Sequence, residues 1–240
     1  NALSGKEISV DTEIVLNRFD LTEQFRKDPA AVIAQLHKKA FSDERRDLYF
    51  ALSELSFYYG EKLEKRPQQQ DTTGQPWMNI GEQMNLTGYP PDYFLMSAVY
   101  AYHYLLGPAR EDPPNAYDRR FRVACDLYNG ALGKGFATGE KGRLEFREGV
   151  RRLPIASLTI TIKKESLEWP LTEFKAFLPA DEFRINGFSV RNRTPGLGLP
   201  LIAILKSTPG LPGEPAIQEN MRWRQASRPS SSIRATSIRR

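Results

Sequence analysis

Three segments of the chain share one apolar spacing, and this limits what it can fold into. Leu48, Leu52, Leu55 and Tyr59 fall at i, i+4, i+7 and i+11. Phe94, Ala98, Ala101 and Leu105 follow the same spacing, as do Phe121, Cys125, Tyr128 and Leu132. With 3.6 residues per turn, each set lies along one helix face. The three helices are therefore expected to pack together, with Ala98 and Ala101 small enough to admit a close neighbour. The stripes begin 46 and then 27 residues apart, so no fixed repeat period exists. Tetratricopeptide-like packing fits this spacing, but a true repeat array does not.

Helix ends are marked by local chemistry. Asp28-Pro29 is a cap followed by proline at the first helical position, predicting a helix to about Phe41. Ser42 is the expected cap of the next helix, running from about Asp43 to Lys65. Arg66 to Pro91 and Gly107 to Asn115 are rich in Gly and Pro and predict loops. Gly130, Gly133 and Gly135 predict that the third striped helix ends near Phe136.

Beyond about Gly139 the pattern changes to strands. Leu144-Glu145-Phe146 alternates, and Ala156 to Ile162 alternates with period two and is rich in β-branched residues. Phe183-Arg184-Ile185 and Phe188-Ser189-Val190 flank Asn186-Gly187, a hairpin signal. Leu201 to Leu205 is continuously apolar, as in a strand covered on both faces. The expected fold class is α+β: an irregular helical bundle over 1–138, then a β-rich segment over 139–206. Residues 207–240 form a Pro-, Ser- and Arg-rich tail that cannot build a core and is expected to be disordered.

The formal net charge of +5 comes from that tail. Gln218 to Arg240 holds six arginines and one acid, leaving 28 basic and 28 acidic residues elsewhere. A nucleic-acid-binding domain spreads its basic residues over a folded face, so a nucleic-acid partner is not expected. No run of 18 apolar residues occurs, which excludes a membrane-spanning helix; the longest such stretch, Tyr93 to Leu106, suits a buried helix. One cysteine excludes an internal disulfide, and two histidines argue against a zinc site. The chain opens on Asn1 rather than Met, which predicts a processed or partial chain. The compartment is left open between the cytoplasm and export or anchoring through a missing signal.

Several segments, in order, resemble the N-terminal region of bacterial α/β-hydrolase-like proteins, the esterase- or lipase-like group with a helical N-terminal part. They are Leu48 to Ser56, Tyr93 to Leu106, Phe121 to Asn129, Phe177 to Phe183 and Arg191 to Leu201. The resemblance covers about residues 1–205. It implies a serine hydrolase of carboxylic esters or lipids, and the β-rich segment as the first strands of an incomplete hydrolase domain. In that family the nucleophile sits in a downstream Gly-x-Ser-x-Gly turn, which exposes the serine beside oxyanion-stabilising N–H groups. No such turn occurs here. Gly187-Phe-Ser189-Val-Arg191 comes nearest, with Arg191 in place of the second glycine. The resemblance thus implies the non-catalytic front portion of a hydrolase, truncated before its catalytic turn, with an ester or lipid substrate only for the full-length protein.

No catalytic, cofactor-binding or metal-binding residue is assigned. Ser157, Ser166 and Ser189 lie in the strand region, and His37 and His103 are the available bases. Their spacing suggests no triad. His103, between Tyr102 and Tyr104, is expected to be partly buried and hydrogen-bonded. His37, beside Lys38 and Lys39 near a helix end, is expected to be solvated. Cys125 lies on a stripe and is expected to be a buried thiol. Gly196-Leu-Gly198 precedes a strand, whereas phosphate-binding glycine loops follow one, so a tight turn is expected. Asp181 and Glu182 are adjacent and point apart, as at a turn. Asn85-Leu-Thr87 and Asn192-Arg-Thr194 match the glycosylation pattern, against which the bacterial resemblance argues. The aromatics crowding the first two striped helices, among them Tyr49, Phe50, Tyr59, Tyr93, Tyr100 and Tyr104, are expected to be helix–helix core rather than a lipid groove. The alternative to a hydrolase part is a helical protein-interaction module.

Overall fold

A computed structural model describes residues 7–65, 88–109, 111–139, 143–163, 170–180, 196–206 and 238–239. The fold is α+β: among the described residues, six α-helices are followed by short antiparallel strands. The predicted hairpin around Asn186-Gly187, the Asp181-Glu182 pair and both glycosylation patterns lie outside the described residues, as does most of the tail.

The helices are α1 (Val10–Arg18), α2 (Thr22–Lys27), α3 (Pro29–Asp43), α4 (Arg46–Glu64), α5 (Pro90–Leu106) and α6 (Arg119–Phe136). Ser9 caps α1, Asp28 caps α3 and Asp118 caps α6, each accepting a backbone N–H of the first turn. Ser42 is not a cap: it lies inside α3 and donates to the Lys39 carbonyl, while Arg45 precedes α4 without a side-chain cap. Pro90 and Pro91, assigned to a loop by composition, open α5, where a missing N–H costs nothing. α1 ends on Asp20 at φ 54, and the next N–H, of Leu21, returns to the Leu16 carbonyl at 2.9 Å. That is the left-handed terminus glycine usually supplies.

α4, α5 and α6 form the central layer. Phe57 meets Phe94 with ring centroids 5.3 Å apart, and the Ser53 hydroxyl donates to the Ser97 carbonyl at 2.9 Å, so α4 and α5 run antiparallel. Ala98 and Ala101 are buried against Leu127 and Ala131 of α6, as their size predicts. On α6 the buried face includes Ala124, Leu127 and Ala131; of the expected stripe Cys125 is buried, while Phe121, Tyr128 and Leu132 are half-buried at the flank. Small residues at the centre let α6 approach closely, which displaces the large ones to the rim. α1, α2 and α3 close the other side of α4 around Val32, Leu36, Leu48, Leu52 and Leu55.

The strands are β1 (Gly149–Arg152), β2 (Ser157–Ile160), β3 (Phe174–Pro179), β4 (Leu201–Leu205) and β5 (Ile238–Arg239). One sheet has the order β1-β2-β5 and the other pairs β3 with β4, all antiparallel. β5 places a piece of the tail on β2, where sequence composition predicts disorder. Leu158 and Ile160 of β2 bury against Leu95, Val99 and Phe136, as period two requires of one face. In β4, Leu201, Ile202 and Ile204 are half-buried and Ala203 is exposed, so the two-sided cover expected of this run is incomplete.

Candidate functional site

Both histidines lie along one seam, where α3 meets α4 and α5. His37 is buried, contrary to the solvated position expected for it. It shares the inner face of α3 with Ile33, Leu36 and Ala40, and this periodicity outweighs its two lysine neighbours. Its Nδ1 lies 2.6 Å from the Tyr100 hydroxyl, and its ring meets the edge of Phe41 at 4.7 Å. Tyr100 is buried, and that burial pushes its hydroxyl pKa far up, so it remains a neutral donor. Burial pushes the His37 pKa down, which favours the neutral imidazole. Among the described residues Nδ1 is the one acceptor beside the Tyr100 hydroxyl, so the tautomer that pairs that proton carries its own on Nε2. His103 is half-buried and stacks on Tyr49 at 5.5 Å, and its pKa too is lowered by burial.

Among the described residues, no nucleophile is paired with either histidine in this seam. Among the described residues, no serine or cysteine hydrogen-bonds to either histidine, and Ser157 lies on β2; Ser166 and Ser189 fall outside them. Cys125 is buried as expected, beside Phe50 and Tyr104, and burial, with Asp126 nearby, raises its thiol pKa. That disfavours the reactive thiolate. Gly196 and Gly198, both at φ +128, form a turn clasped by Asn129. Its amide donates to the Gly196 carbonyl at 2.8 Å and accepts the Gly198 N–H at 2.9 Å. Among the described residues, no group of three His, Cys, Asp or Glu can hold a metal, and no helix is long and apolar enough to cross a membrane.

Three polar clusters, none singled out by the sequence, tie the elements together. Glu54 is buried on α4 and accepts the Ser9 N–H at 3.1 Å, the Ser9 hydroxyl at 2.6 Å and the Thr12 hydroxyl, all on Oε2. It thereby places a carboxylate at the N-terminus of α1, where the helix dipole favours it. Buried Arg46 donates to the carbonyls of Tyr104 (2.6 Å), Gly107 (3.2 Å) and Glu111 (3.1 Å), satisfying the open end of α5. Lys134 of α6 bridges Glu61 at 2.7 Å and Glu64 at 2.6 Å on α4. Burial alone would raise the Glu61 pKa; hydrogen bonds from Lys134 and Lys65 outweigh it and hold the carboxyl below its usual range.

Glu54 lies between the stripe residues Leu52 and Leu55, where a charge close to the inward face was the available signal. Arg46 and Arg45 look alike in sequence and only the fold separates them. No family model, no characterised protein and no solved structure matches the chain.

Proposed function

We propose that this chain is the non-catalytic front part of an α/β-hydrolase-type enzyme acting on carboxylic esters or lipids. In such an enzyme a serine attacks the ester carbonyl, a histidine takes its proton and an acid orients the histidine. On this reading those three groups are not among the side chains described above. His37, His103 and Cys125 serve packing.

One observation carries the reading. The segments of the resemblance pack on one another: Leu48–Ser56, Tyr93–Leu106 and Phe121–Asn129 lie in α4, α5 and α6. Phe177 and Pro179 of β3 pair with Ala203 and Leu201 of β4, and Leu199 lies against Gly133 of α6. The described parts of segments dispersed over about 150 residues thus lie against one another, which is consistent with a shared scaffold. The test is the coding DNA beside the segment for this chain. We expect a frame encoding Gly-x-Ser-x-Gly downstream, and esterase activity when that segment is joined on. Absence of such a frame contradicts the reading.

The second reading, a helical protein-interaction module, is favoured by Val10 (63% exposed) and Ile14 (52% exposed), one turn apart on α1. Specific capture of one partner by the full chain, lost in Ile14→Glu, would support it.

A further inference from the structure

We infer that the seam between α3 and the α4–α5 pair is an acid-operated switch, worked by His37 against Tyr100. Only one proton fits between Tyr100 Oη and His37 Nδ1 at 2.6 Å. In the closed state the hydroxyl supplies it and the neutral imidazole accepts. Protonating His37 puts a second proton on Nδ1, aimed at the same oxygen. The tyrosine must then turn its own proton away inside a buried site, or the pair must part.

Among the described residues, no carboxylate hydrogen-bonds to His37. From α5 it faces Tyr100, and His103 follows along the same helix. From α4 comes Tyr49, whose hydroxyl donates to the Ala40 carbonyl at 3.3 Å and lies within the field of Glu44. On α3 itself are Phe41, exposed Lys38, and Lys39, held over the Phe19 ring at 4.6 Å. Among the described residues, no carboxylate pairs with either histidine. His103 is a second imidazole that gains a proton in the same pH range, so acid adds like charges to the seam.

The direction follows from linkage. Both histidines hold protons less well in the folded chain than in the unfolded one. Stability is therefore complete above the ordinary histidine value and falls as pH drops below about 6.5. The joint that loosens is that of α3 with α5, because His37 belongs to α3 and its hydrogen bond to Tyr100 ties the two, while Val32, Ile33 and Leu36 still hold α3 on α4. α5 and α6 stay packed on each other and on Phe57 of α4 through apolar side chains that acid does not alter.

The experiment is hydrogen–deuterium exchange on the full chain at pH 7.5 and 5.0, with labelling times scaled for intrinsic exchange. Peptides covering Pro29–Asp43 should lose protection at least about tenfold at pH 5.0, equivalent to about 1.4 kcal/mol. Peptides covering Arg119–Phe136 should not. His37→Gln, which keeps a neutral acceptor for Tyr100, should cut the loss in the α3 peptides to the smaller part that His103 contributes. Unchanged α3 protection at pH 5.0, or an equal acid response in H37Q, would overturn the inference. A variant-free check is the His37 ring-proton titration by NMR. A midpoint below about 6.5 is expected, and one at or above that value contradicts the switch.

Discussion

Replacing Arg46 with alanine tests how the central layer is joined. The guanidinium is buried and makes its three shortest hydrogen bonds to carbonyls at and beyond the end of α5, at 2.6, 3.2 and 3.1 Å. Truncation leaves those acceptors without their charged donor. A hydrogen bond to a charged group contributes about 1.5–3 kcal/mol, but the three share one group and do not add. A net loss of about 3–5 kcal/mol is expected, the range for breaking a buried charged network. Urea unfolding followed by circular dichroism measures it. With m of about 2–3 kcal/mol/M, the midpoint should fall by about 1–2.5 M with m unchanged. Arg46→Lys keeps the charge but not the planar fork, and should lose about half as much. A midpoint for R46A within ~0.2 M of the parent would refute the clamp.

Further consequences concern the other joints. Glu54→Ala removes the acceptor of two hydroxyls and one N–H, and should cost about 2–4 kcal/mol and expose α1 to limited proteolysis. Glu54→Gln should retain much of the protection. Asp20→Gly, at φ 54, should stabilise by about 0.5–1 kcal/mol and raise Tm by about 1–4 °C; a lower Tm would contradict a left-handed terminus there. The Glu61 carboxyl is held below its usual range, so its contribution is present above that range and is lost as pH falls through the folded value. Lys134→Met should shrink this acid-side dependence, read from urea midpoints between pH 6 and about 3.

The helical half was legible because burial there follows a periodicity that residue type reports. The stripes on α4 and α5 became the core, and Asp28-Pro29 started α3 as its chemistry requires. α6 shows the limit: a neighbour's approach selected Ala124, Leu127 and Ala131, one position from the larger stripe. Position within the tertiary packing, which no local pattern encodes, decided the rest. His37 carries solvated neighbours in sequence, yet its helix phase turns it inward to Tyr100. Glu54 and Arg46 are charged residues whose roles depend on partners 42 to 65 positions away. β1 and β3 were missed because their four and six residues alternate weakly; pairing with β2 and the Arg151–Asp92 ion pair hold β1, and Phe177 packed beside Phe136 holds β3.

Whether any side chain of this chain breaks an ester bond is tested most directly by active-site labelling. The folded chain is incubated with a fluorophosphonate probe beside a heat-denatured control, and labelled peptides are located by mass spectrometry. As a non-catalytic front part, the chain should show no serine modified above the control and no turnover of an activated ester. Stoichiometric, heat-sensitive labelling of one serine would contradict that assignment.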